Sequence, residues 1–582
     1  MKRYRRIAAL VLALCLAVLA LAGCSRGGGS TITVIETTPG PYSQEEYPSV
    51  GYFSPSSTPE AYQDEIIPAP VDVNDFSQSL TEPTPAPVVN DMTHGDFTYG
   101  VVVDTGVDIH PLRTQHKDMY SVNKLIFESL VELNEQLQPV PLLADRWSVE
   151  GNVWTFTLRS GIQFHNGQAL TADDVVASYQ EIQRNPDTHW YQLTQLISDM
   201  AAVDELTVQV TSKSAGYMLL YAMTFPVVES STVASSCIGL DMPMGTGPYW
   251  YIQYDAPNAL RLESNALWWK RPSGYIQSVV VLFYKTIRSA LTGLELGEVD
   301  AIATDYPTAA ISKNLTDRTT LDYSTQTYEC IVPNLSGAIL SDISVRQAIM
   351  YAIDRTTLAS TAYAGMAQES EVPVIPGSYL YDAQATRYNY SPELALQILR
   401  DAGWSDPDQD GLLEKELGGA TRRLSLKLFT YDRGTTATRS EAAELIAKQL
   451  RTVGFEIEVQ VGTASAIQKR LSSGDFDLVL CGFELSEAPN LAFLLAGSGS
   501  CNYSRYNSSQ MDTYLHDALS AATEAELIAA MSNVQMIVVE DLPILGLFFR
   551  SGVFISRTSV GGMSGTYQYD VLRGLANVIP TL

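Results

Sequence analysis

Basic residues are scarce in this chain of 582 residues: Lys and Arg total 37 against 65 Asp and Glu, a formal net charge of −28. Four of the basic residues, Lys2, Arg3, Arg5 and Arg6, are crowded at the start. A body this acidic repels phosphate backbones and anionic lipid surfaces, which excludes nucleic acid as a partner and leaves cationic or zwitterionic ligands compatible. Histidine is also rare; the six are scattered, with no His-Glu-x-x-His and no glycine-rich phosphate loop. No nucleophile, base and orienting residue can be assembled from the motifs present, so an enzyme is not expected, and neither is a cofactor or a metal site. Long apolar runs are missing too, except for Ile7 to Leu21. That run falls short of the ~20 apolar residues of a spanning helix and reads as the core of a secretory signal behind a basic start.

The run ends in Leu21-Ala22-Gly23-Cys24, which resembles the lipobox of bacterial lipoproteins. The resemblance implies a signal peptide over 1–23, with Cys24 as the lipidated mature N-terminus. It places the protein on the extracytoplasmic face of the cell membrane, anchored by lipid. The alternative is ordinary signal cleavage with Cys24 as a bystander. From 24 to 96 the composition turns to Ser, Thr, Pro, Gly and acidic residues, as in Glu82-Pro83-Thr84-Pro85-Ala86-Pro87. Such a segment buries too little apolar surface to offset its ordering entropy and reads as a disordered stalk. Beyond it stand four cysteines, Cys237, Cys330, Cys481 and Cys501. Export favours disulfides over catalytic or metal-binding thiols. Cys481 and Cys501, flanking one loop, are the first candidate pair.

The folded body has its clearest local pattern at Leu158 to Tyr179. Trp154, Phe156 and Leu158 alternate with Thr155 and Thr157, a strand with one apolar face. Asn166-Gly167 is a turn pair, because glycine tolerates positive φ. Thr171 and Asp174 form a capping box, with Leu170 and Val175 as the staple around it. Further along, the spacing predicts a helix over 122–131 and strands over 97–103, 206–210, 249–254 and 279–283. It also predicts a helix over 288–297 and a strand over 329–333. A helix then starts at Val345, with Gly365 as its stop. Strand 424–428, helix 440–453 and strand 455–461 form a β-α-β unit, which favours a parallel or mixed sheet. The strand at 477–480, helices at 511–522 and 524–540, and an apolar strand from Pro543 complete the body.

Seven separated stretches occur in the order found in the solute-binding proteins of peptide-type ABC importers, the oligopeptide/dipeptide/nickel class, which the chain resembles. They are Leu158–Tyr179, Gly245-Thr246-Gly247-Pro248-Tyr249, Gly297-Glu298-Val299-Asp300, Val345-Arg346-Gln347-Ala348 with Ala352-Ile353-Asp354-Arg355, Ala402-Gly403-Trp404, Asn502-Tyr503-Ser504 and Leu542-Pro543-Ile544. The resemblance implies an α/β, two-lobed periplasmic-binding-protein-like fold of mixed sheets, with an extra domain grafted on lobe one. Lobe one would comprise 97–127, 238–330 and 542–582, the graft 128–237, and lobe two 331–541, with hinge strands near Cys330 and Leu542. It implies capture of a peptide or peptide-like solute in the interlobe cleft by a monomer that hands it to ABC permease subunits. In peptide binders of this class an acidic residue in a Trp-x-x-Asp-Tyr pattern grips the ligand ammonium. Here the corresponding stretch is Phe483-Glu484-Leu485-Ser486-Glu487, which puts Ser486 at the acidic position and Glu487 one residue away. Phe483, Ser486, Glu487 and Asn334, after the hinge strand, are therefore the expected ligand contacts. Nickel or haem carriage, and a sensory or scaffold lipoprotein keeping the same fold, stay compatible with these motifs. Two other patterns are set aside. Asp406-Pro407-Asp408-Gln409-Asp410-Gly411 begins like a calcium loop, but Leu417 stands where a bidentate Glu is required. Ser121-Val122-Asn123-Lys124 matches Ser-x-x-Lys without its companion motifs.

Overall fold

The alternation around Trp154 becomes a buried strand face: Trp154, Phe156 and Leu158 are almost fully enclosed while their neighbours are half-buried. The computed structural model describes residues 95–103, 107–213, 216–270, 276–307, 309–310, 318–432, 437–557 and 563–578. All of them fall within one unit of the chain, Tyr42–Leu582. Cys24, the signal segment and the stalk up to residue 94 lie outside the described residues.

The strands in chain order are β1 (Asp96–Val102), β2 (Val131–Leu133), β3 (Pro139–Pro141), β4 (Ala144–Glu150), β5 (Val153–Leu158), β6 (Ile197–Asp204) and β7 (Thr207–Ser212). Then come β8 (Tyr249–Asp255), β9 (Ala259–Ser264), β10 (Ser278–Tyr284), β11 (Ala301–Thr304), β12 (Thr319–Pro333) and β13 (Ala367–Glu369). The last are β14 (Glu414–Leu417), β15 (Ala420–Arg423), β16 (Ser425–Thr430), β17 (Glu456–Val461), β18 (Leu478–Glu484) and β19 (Leu545–Ser556). A mixed sheet runs β17-β16-β18-β12-β19-β11-β1-β10-β9-β8, with β13 added beside β19. The β-α-β unit is present, since β16 and β17 pair in parallel with helix Thr438–Arg451 between them. The long strands β12 and β19 join the two halves of the sheet. β12 pairs with β18 over Thr327–Pro333 and with β19 over Thr319–Ile331, and β19 pairs onward with β11 over Val553–Ser556. Both halves of the sheet thus share this pair of strands. The four strands β4-β5-β7-β6 make a separate antiparallel sheet from residues 144–212.

The family-like stretches serve as joints. In the capping box of helix Ala172–Gln183, the Asp174 carboxylate accepts the Thr171 N–H at 2.8 Å. The Asn166-Gly167 turn, with Gly167 at φ +82°, carries His165 onto the Gly245–Gly247 loop. There His165 N donates to Gly245 O at 2.9 Å and its Nε2 meets Gly247 O at 3.1 Å. Burial holds the His165 imidazole down at about 4, hence neutral. Gly245 has no alternative, because a Cβ there would lie 2.0 Å from Ile126 O. Asp300 accepts the Thr98 N–H at 2.7 Å, tying the Gly297–Asp300 turn to β1. Arg346 donates to Leu340 O at 2.7 Å and to Asp541 O at 2.6 Å.

Three expectations are corrected. Among the described residues the first helix is Lys117–Lys124, not 122–131. The backbone beyond it is used in tertiary pairing, with Gly247 N donating to Ile126 O and Tyr249 N to Leu125 O, both at 2.9 Å. The helix from Val345 does not continue to Gly365: Ile343–Ala352 stops at an extended Ile353, and Asp354 caps a new helix, Arg355–Thr361. The Cys481–Cys501 disulfide is absent: none of the four described cysteines is disulfide-bonded, and all are buried. Cys481 instead stands opposite Cys330 across the β12–β18 ladder, close enough for their thiols to hydrogen-bond.

Candidate functional site

Strand β18 delivers Glu484 to Glu487 to the place where the shared strands meet the C-terminal segment. Leu485 N donates to Gln326 O at 2.9 Å, which keeps the segment on the edge of β12. Glu484 is fully engaged: it accepts from Thr327 Oγ1 at 2.9 Å and from Gln568 Nε2 at 2.7 Å. Gln568 Oε1 in turn accepts the Gln326 N–H at 2.8 Å. Ser486 Oγ accepts the Ala488 N–H at 3.2 Å.

Glu487 is the buried charge of the region, with 2% of its side chain exposed. Its Oε2 lies 3.0 Å from His189 Nε2. His189 opens the helix His189–Thr194, whose N-cap Thr188 accepts the Tyr191 N–H. Lys124 donates to the Tyr567 hydroxyl at 2.6 Å and lies 3.8 Å from Asp570; that hydroxyl donates on to Glu487. Burial is the largest influence on the Glu487 carboxyl and pushes it up. The His189 hydrogen bond and charge, Lys124 and Tyr567 together outweigh it, and Glu487 sits below the usual carboxylate range. An ionised carboxylate is acceptor-only, so Nε2 of His189 carries the proton of the shared bond.

Glu487 lines one cavity and His189 another. The larger, about 190 Å³, is lined by Gln115, Lys117, His189, Gln192, Ser486 and Tyr569 among others. The smaller, about 50 Å³, is mostly apolar, with Tyr221, Val374, Ile375, Leu485 and Met531 beside Ser486 and Glu487.

Of the residues expected from sequence, Ser486 lines both cavities and Glu487 the smaller one. Phe483 is fully buried in β18 opposite Tyr328. The Asn334 amide donates to Gly474 O at 3.1 Å and Phe476 O at 2.9 Å, bracing the turn that leads into β18. It sits beyond the Pro333–Leu478 end of a ladder whose other end is Thr327–Glu484, roughly 20 Å away at about 3.4 Å per residue. The residues that sequence reasoning missed are His189, Lys124, Gln568 and Tyr567. They come from three distant segments with no shared motif; the capped start Thr188-His189 is the only local signal. The Asp406, Asp408 and Asp410 carboxylates do cluster. Arg423 occupies their cation position, 2.8 Å from Asp410 and 3.6 Å from Asp408, and also pairs with Glu414 at 3.0 Å. Ser121 and Lys124 serve different partners, Ser121 Oγ accepting the Val571 N–H.

Residues 138–504 match the family described as bacterial extracellular solute-binding proteins, family 5. The chain belongs to that family. Family-5 membership makes it a binding protein of the extracytoplasmic space, and among the described residues no helix is long and apolar enough to cross a membrane. Among its relatives is the oligopeptide-binding protein AppA of Bacillus subtilis (strain 168), 24% identical over 493 residues, covering 78% of this chain and 86% of the relative. Another is the nickel-binding periplasmic protein of Escherichia coli (strain K12), 25% identical over 395 residues, covering 64% and 73%. Solved structures agree in fold. AppA from Bacillus subtilis in complex with a nonapeptide aligns with a TM-score of 0.57 at 20% identity over 84% of this chain and 100% of that one. HbpA2 from Haemophilus parasuis gives 0.71 at 19% over 84% and 100%.

Proposed function

We propose that this family-5 protein is the lipid-anchored capture component of an ABC importer. It takes a peptide-like solute between its lobes and passes it to permease subunits. Cys24 carries the lipid and the acidic, proline-rich stretch to residue 96 spaces the body from the membrane. The observation that carries this reading is the family match over 138–504, which includes the Glu484–Glu487 segment and both cavities' main walls. Hinge motion across the two shared strands is the closing mechanism this fold offers. Ser486 contacts the solute, and affinity comes from backbone groups and water-filled space, which suits varied side chains.

The test is a thermal-shift screen of the purified mature protein against peptide pools, nickel chelates and haem. A ligand at 100 times its Kd stabilises by about 2.7 kcal/mol, a readily measured rise in melting temperature. Stabilisation by peptide pools supports the reading. Stabilisation by a nickel chelate or haem alone replaces the peptide with that cargo. Absence of any shift rejects solute capture.

A further inference from the structure

A buried carboxylate needs a counter-charge, and where that charge comes from decides what the site offers a ligand. Glu487 receives its counter-charge from within the chain. His189 supplies one donor at 3.0 Å, and Tyr567, itself fed by Lys124, supplies the second. The His189 ring is held in place by three aromatic rings from three segments. Tyr569 is 4.7 Å away between centroids, Trp190 5.0 Å and Tyr120 5.4 Å. Trp190 is itself pinned, its Nε1 donating to Pro111 O at 2.9 Å. Aromatic faces around a group facing a carboxylate form a cation-stabilising environment. In this protein the box is already filled, and 15% of the His189 side chain is exposed.

We propose that His189 is a specificity-determining residue that withholds Glu487 from the ligand, so that the site accepts peptide-like solutes whose amino end is blocked or uncharged. The inference rests on the capture reading above and narrows its substrate class. A ligand ammonium would have to displace a boxed imidazole before reaching the carboxylate. A neutral amide end needs no such displacement. It enters the cavity of about 190 Å³, where Gln115, Gln192 and Ser486 offer neutral hydrogen-bonding groups; of the charged groups on the same wall, Glu484 is bonded to Thr327 and Gln568, Lys117 is paired with Asp305, and Asp187 is exposed to solvent.

The experiment is calorimetric titration of the mature protein with two random tripeptide-to-pentapeptide pools, identical except that one is N-acetylated. The wild type binds the acetylated pool at least as tightly as the free pool. His189→Ala removes one of the two donors of Glu487 and leaves the carboxylate, still bonded to Tyr567, facing an emptied aromatic box, which shifts preference at least tenfold toward the free amine. Adding Glu487→Gln abolishes that shift. A wild type that prefers the free pool tenfold, with the preference lost in Glu487→Gln, overturns the inference while leaving peptide capture standing. Binding of neither pool overturns both. If His189→Ala does not fold, imidazole nitrogen NMR of the wild type decides. An unchanged His189 Nε2 resonance on saturation with the acetylated pool supports the inference, and loss of its carboxylate-bonded position overturns it.

Discussion

Replacing Glu128 with glutamine should flatten part of the pH dependence of stability. Glu128 lies under the Gly245–Tyr249 loop and accepts from Trp269 Nε1 at 2.7 Å, Thr246 Oγ1 at 2.8 Å and Trp268 Nε1 at 3.3 Å. Burial raises its carboxyl from 4.5 to about 7, against the lowering effect of Lys270 and the three donors. The folded state thus holds a proton that the unfolded chain releases. The stabilisation is complete below 4.5 and is lost as pH rises through about 7. At about 1.4 kcal/mol per pH unit over that interval, the loss is on the order of 3 kcal/mol. His110 and His165 act in the opposite direction. Burial lowers both to about 4, so they add stability above their ordinary range that is lost on acidification. The informative quantity is therefore the difference between wild type and Glu128→Gln. Urea unfolding of both proteins, followed by tryptophan fluorescence from pH 4.5 to 8, should show the wild type losing roughly 3 kcal/mol relative to the variant. Parallel stability curves would refute the assignment of a proton to Glu128.

Other outcomes follow from buried groups. Glu329 and Arg439 form a bidentate pair, both bonds 2.9 Å, at 0% and 7% side-chain exposure. Glu329→Gln should cost about 3–5 kcal/mol by denaturant midpoint, since it strands a buried guanidinium; a loss under 1 kcal/mol would contradict the pairing. Gly245→Ala should not yield folded protein, because its Cβ meets the Ile126 carbonyl at 2.0 Å; a cooperative wild-type melt of that variant would show that the loop docks elsewhere. The mature body should show no mass change on reduction, and its four buried thiols should react with a thiol reagent only after denaturation. A gain of two mass units on reduction would reveal a disulfide.

The elements legible in the sequence are those whose cause is local. The alternation at Trp154–Leu158, the Asn166-Gly167 turn and the Thr171–Asp174 box each depend on residues within a few positions, and all three are present. That the helix ends before residues 125–130 is not legible locally, because the carbonyls of Leu125 and Ile126 pair with a loop more than a hundred residues downstream. The cysteines show the same limit. Cys481 and Cys501 are near in sequence, but the ladder partner of Cys481 is Cys330. At the site, Ser486 and Glu487 could be located from the end of β18, whereas His189 joins Glu487 across 298 positions. The family-like stretches speak to joints rather than ligand contacts: Asp300, Arg346 and His165 are all spent on backbone groups.

The central claim is that solute is held against the Glu484–Glu487 segment. Photoactivatable peptides cross-linked to the mature protein and mapped by mass spectrometry test it directly. Adducts should concentrate on residues 484–486, 115–120, 187–193 and 568–569, the walls of the larger cavity, and unlabelled peptide should compete them away. Competable adducts confined to other surfaces would contradict the account.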